Sequence, residues 1–97
     1  MPEMHFVVEW PDASERRYYS PSLVVREYLE PGRSYALTEF LGRSRTMLGI
    51  GSERVRARYG YACSSAMDQL QEIEARAADF SPDAQVTVTS FELPEKP

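Results

Sequence analysis

The 97-residue chain is 42% hydrophobic and 27% charged, a composition that folds as one globular domain (residues 1–97) around one modest core. A net charge of −4 argues against nucleic acid as a partner, which calls for a basic surface. No apolar run reaches the roughly 18 residues of a membrane span. A single cysteine, Cys63, rules out an internal disulfide. A single histidine, His5, rules out a histidine-rich metal centre and most serine or cysteine triads. The sequence thus points to no metal and no cofactor. The first ten residues carry no basic segment ahead of their apolar run, so a cytoplasmic location is the expectation.

The first element is a strand. From Met4 to Trp10 apolar residues alternate, with Met4, Phe6, Val8 and Trp10 on one face and His5, Val7 and Glu9 on the other. His5 then reads as a surface residue. Pro11-Asp12-Ala13-Ser14 has turn chemistry, and Arg16 to Tyr19 returns as the second strand of a hairpin. Ser20-Pro21 suits the start of a short helix with Leu23, Val24 and Tyr28 inward, ended by Pro31-Gly32. Ser34 to Leu37 reads as extended or turn, with Thr38 as the cap of the next helix.

That next helix, Thr38 to Tyr59, is the longest element. Leu41, Leu48 and Val55 recur every seven residues, with Ser44 and Gly51 between them on the same face. Gly42, Gly49 and Gly51 each cost about 1 kcal/mol against alanine in a helix interior. A break at Gly49-Ile50-Gly51 is the alternative to one continuous helix. The continuous reading is preferred, with Ser44 and Gly51 packing against large residues of a facing helix. Gly60 supplies the left-handed stop. Ala66, Leu70, Ile73, Ala77 and Phe80 then form a second helical seam, giving an antiparallel helical hairpin. Ser81-Pro82-Asp83 ends it. Gln85 to Glu92 is a β-branched strand that must pair with the first hairpin, with Val86 and Val88 on one face. Residues 94–97 read as a frayed tail. The expected fold is α+β: a three-stranded antiparallel sheet in the order β-β-α-α-α-β, covered by helices.

Ten of the eleven basic residues are arginine. The densest basic and aromatic cluster joins Arg54 and Arg58, which share a helix face, to Tyr59 and Tyr61. It is the candidate site for an anion or small ligand, although a helix C-terminus welcomes cations without any ligand. Glu72 with Arg76 reads as an i, i+4 ion pair rather than a catalytic carboxylate. Gly49-x-Gly51-Ser52 lacks the lysine and preceding strand of a phosphate loop. Cys63 is the candidate nucleophile. Ser65 and Asp68, however, have the form of a capping box, which leaves Cys63 outside the helix among apolar neighbours, as an inert thiol.

Taken together, YSPSLVVREYLEPGRSY, FLGRSR, SERVRARYGYACSSAMDQL and EIEA resemble the bacterial family of nitrogen-starvation response proteins, first labelled in mycobacteria. The resemblance covers Phe6 to Ala77 and is most specific from Tyr19 to Tyr35. It carries over no catalytic residue. What it implies is a place in a gene cluster with an aliphatic nitrilase, and within it a non-catalytic accessory protein that binds a protein partner. A small-molecule or anion binder and a small Cys63 enzyme are the alternatives. The two exposed edges of a three-stranded sheet also favour a homodimer.

Overall fold

The computed structural model describes residues 3–60 and 64–93. The element order is β1 (Met4–Glu9), β2 (Glu15–Ser20), α1 (Val25–Tyr28), β3 (Arg33–Ala36), α2 (Leu37–Tyr59), α3 (Ser64–Ala77) and β4 (Gln85–Glu92). The class is α+β as expected, but the antiparallel sheet has four strands rather than three, in the order β2-β1-β4-β3.

The additional strand is β3, at residues read from the sequence as extended or turn. It pairs Tyr35 with Val86 and Ala36 with Gln85. Four residues are too few for alternation to stand out. The strand is defined by its partner, and the Leu37 N–H continues the ladder to the Ala84 carbonyl at 2.8 Å.

The β1–β2 turn forms as its composition dictates. The Ser14 N–H and hydroxyl both donate to Asp12 Oδ1, at 3.0 and 2.6 Å. Ala13 takes a left-handed φ of 70°, a conformation that closes the tight loop between Trp10 and Ser14.

Ser20 does not open a helix. It ends β2, and its hydroxyl donates to the Ser22 carbonyl at 2.8 Å. The helix that follows is one turn, Val25–Tyr28, because Ser20 and Ser22 spend their hydrogen bonds on the loop. Thr38 is likewise not a cap. It lies inside α2, and its hydroxyl donates to the Pro82 carbonyl at 3.0 Å.

Helix α2 runs unbroken for 23 residues through Gly49-Ile50-Gly51 and stops at Gly60, which has φ 82°. Gly51 does not face a partner helix, as its spacing suggests. A Cβ there would meet Pro21 Cγ at 3.3 Å and Ser22 Cβ at 3.7 Å, so glycine lets the β2–α1 loop lie directly on the helix. Among the described residues, a Cβ at Gly42 or Gly49 would meet nothing within 4 Å beyond the adjacent helix backbone. Helices α2 and α3 pack on each other, and Ser65 lies inside α3 rather than ahead of it.

The core lies between the helices and one face of the sheet. Met4, Phe6, Val8, Tyr18, Tyr35, Val86 and Val88 point inward, and Phe40, Met47, Leu48 and Ile73 meet them from α2 and α3. Leu48 is fully buried. Leu48→Ala is expected to cost about 2–5 kcal/mol in chemical denaturation, as a buried leucine deletion does. A cost under about half a kcal/mol would place it outside the core.

Candidate functional site

Arg54 and Arg58 share a helical face as the spacing implies, but Arg54 is engaged within the fold. Its NH1 donates to Ser22 Oγ at 2.8 Å, holding the Pro21-Ser22 loop against Gly51. Arg58 also has a partner within the chain. Arg56 lies 3.6 Å from Glu53 one turn earlier. Tyr59 is the last residue of α2. Tyr61 and Cys63 lie outside the described residues.

The exposed side of α2 holds a shallow, mainly apolar depression of about 610 Å³. Gly49, Ile50 and Ala57 line it, with Arg45, Glu53 and Arg54 at its margins. The apolar spacing in the sequence singled out Leu41, Leu48 and Val55 on this helix and not the residues of this depression.

A second, polar crevice of about 640 Å³ separates β2 from α3. Arg76 organises it. Its NH2 donates to Asp12 Oδ2 at 2.8 Å and to Ser14 Oγ at 2.7 Å, and its guanidinium lies 5.4 Å from the Phe80 ring centroid. Arg76 therefore turns to the β1–β2 turn rather than to Glu72. Gln69 reaches β2 as well, accepting the Tyr19 N–H at 2.9 Å. Helix α3 thus covers one sheet edge that a three-strand reading leaves open. Tyr18, at the crevice floor, has its phenol pKa raised by burial, and its oxygen accepts the Trp10 indole N–H at 3.1 Å.

Arg43 makes a third cluster, absent from the sequence reading. It bonds Glu39 at 2.9 Å and the Tyr28 carbonyl at 2.7 Å, and lies 5.2 Å from the Tyr35 ring centroid. Arg33 sits 5.1 Å from the same ring. These contacts fasten the α1–β3 segment to α2.

The sheet face away from the helices is half-exposed. His5 meets the Tyr19 ring edge-on at 5.6 Å, Arg17 pairs with Glu92, and Ser34 bonds Thr87 at 2.7 Å. Val7 lies among them. His5 is on this outer face, as its alternation implies. Among the described residues no group of three or more histidine, cysteine, aspartate or glutamate side chains is placed to hold a metal. Among the described residues no helix is long and apolar enough to cross a membrane.

Residues 5–91 match the family described as nitrogen starvation-induced protein NitG, which is most of the chain. The chain belongs to the NitG family. No curated protein and no solved structure gives a match. The NitG match reaches into all four strands, so the Arg76 crevice, the α2 depression and the outer sheet face apart from Glu92 fall inside the family segment.

The Asp12 carboxyl is held below its ordinary value of 3.8, first by the Ser14 hydroxyl, then by the Ser14 backbone N–H, with a smaller contribution from Arg76. A depressed carboxylate pKa adds stability above the ordinary range, and that stability is lost as pH falls through the folded value. In an NMR titration, Ser14→Ala is expected to move Asp12 further toward 3.8 than Arg76→Gln does. The reverse order would make the guanidinium the main cause.

Proposed function

We propose that this NitG-family protein is a non-catalytic accessory protein of the cytoplasm that docks on a protein encoded beside it in a nitrilase-containing nitrogen-assimilation cluster. The family's description supports induction under nitrogen starvation. The observation that carries the docking role is the outer sheet face. It combines Tyr19, His5, Val7, Arg17 and Thr87 over a broad, half-exposed surface. Tyrosine and arginine are enriched at protein interfaces, and a surface of mixed character fits a protein better than it fits a small molecule.

The reading in which Arg54 and Arg58 bind an anion has less support, because Arg54 is committed to Ser22. The antiparallel course of α2 and α3 belongs to the same proposal, since a stiff two-helix layer keeps the sheet face in one shape.

The test is co-expression with the cluster's nitrilase. The protein alone is expected to show no turnover of nitriles or amides, and to change the activity or soluble yield of the enzyme. A double variant, Val7→Glu with Tyr19→Ala, should lose that effect while keeping its far-UV spectrum. Turnover by the pure protein, abolished by Cys63→Ala, would replace this reading with a cysteine enzyme.

A further inference from the structure

We infer that the exposed face of α2 is a self-association surface, on which a second copy of this chain crosses at Gly49. Three observations lead there. Among the described residues the apolar depression is lined by α2, with Gly49 and Ile50 part of the lining. Gly42 and Gly49 weaken the helix, yet among the described residues nothing beyond the adjacent helix backbone comes within 4 Å of a Cβ built at either position. Neighbours within the fold account for Gly51 but not for these two.

The third observation is charge, and it selects the occupant. Arg45 lies four residues before Gly49 and Glu53 four residues after it. At 3.6 residues per turn, Gly42, Arg45, Gly49, Glu53 and Arg56 fall within about 40° of one line along the helix. A two-fold axis beside Gly49, with the two helices running nearly antiparallel, brings each Arg45 within side-chain reach of the Glu53 of the second copy. It also sets each Arg56 over a Gly42, where no side chain obstructs it. The pattern is complementary to itself, which a two-fold interface requires of a single surface. Existing partners do not prevent the exchange. Arg45 bonds Glu74 and Arg56 lies near Glu53 in pairs that are largely exposed, and exposed pairs are weakly held.

This surface is separate from the outer sheet face, so the two proposals stand or fall independently. The sheet edges supply less of a reason for pairing than the sequence implied, since α3 reaches over β2 and β3 is only four residues long.

Sedimentation of the full chain at micromolar concentration and low salt is the test, with far-UV and thermal melts as fold controls. The wild-type chain is expected to be dimeric. Glu53→Arg and Arg45→Glu should each weaken the dimer by about tenfold or more through like-charge opposition, and the double exchange should return it to within about threefold of wild type. Gly49→Leu should abolish the dimer while leaving the monomer as stable as before or more so, because the position is open within the chain. A wild-type chain that stays monomeric, or a dimer that tolerates Gly49→Leu and gains nothing from the charge exchange, would overturn the assignment.

Discussion

The Trp10 indole is the contact on which the other layers converge. It sits at the end of β1, is 1% exposed, and touches every layer of the domain. Phe40 of α2 meets it edge-on at 5.8 Å, and Phe80, beyond the end of α3, stacks on it at 5.9 Å. Its N–H reaches the Tyr18 hydroxyl of β2. Aromatic pairs of this kind are worth about 0.5–1.5 kcal/mol beyond the area they bury, and here they share one ring. The indole is also tied to the surface. Arg76 lies over Phe80 on one side and holds Asp12 on the other, so the turn beside Trp10 and the helix above it are fastened to the same guanidinium.

Much of this was legible in the chain. The alternation of Met4, Phe6, Val8 and Trp10 is the buried face of β1, and the Ala66, Ile73 and Ala77 spacing is the buried side of α3. The unbroken α2 also follows from its period, because tertiary packing of one face outweighs a local glycine penalty. What stayed hidden was set by partners distant in sequence. Strand β3 exists because β4 is there to receive it. Gly51 is explained by Pro21, thirty residues earlier, through an approach that no helical period encodes. Arg76 chose Asp12 over Glu72 for the same reason, since a long side chain takes the partner the fold brings near rather than the one its own helix offers. The missed strand was the costliest of these, since it changed the sheet from three members to four.

The candidate sites divide along the same line. Arg54 and Arg58 were found because helical spacing is a local property, but the use the fold makes of Arg54 is a loop clamp. The outer sheet face and the open side of α2 are what remains after the core is closed. One is a strand surface rich in polar and aromatic groups, the other a shallow depression on α2 that Gly49 helps to line. The proposed docking on an unlike partner and the proposed self-association would therefore use different faces.

The pairing of β1 with β4 has a consequence for how the domain is made. The first and last strands are the two central members of the sheet. During synthesis β1 and β2 can close their hairpin early, but β1 then waits for residues 85–92 before its other edge is filled, and β3 has no partner at all until the same moment. Pairing strands so far apart in sequence demands that a long loop be closed before any contact rewards it. The helices therefore emerge onto a half-built sheet, with Phe6 and Val8 still lacking the strand that completes their layer. Any chain ending short of β4 would present an apolar surface flanked by unpaired backbone, the form of nascent protein that chaperones retain.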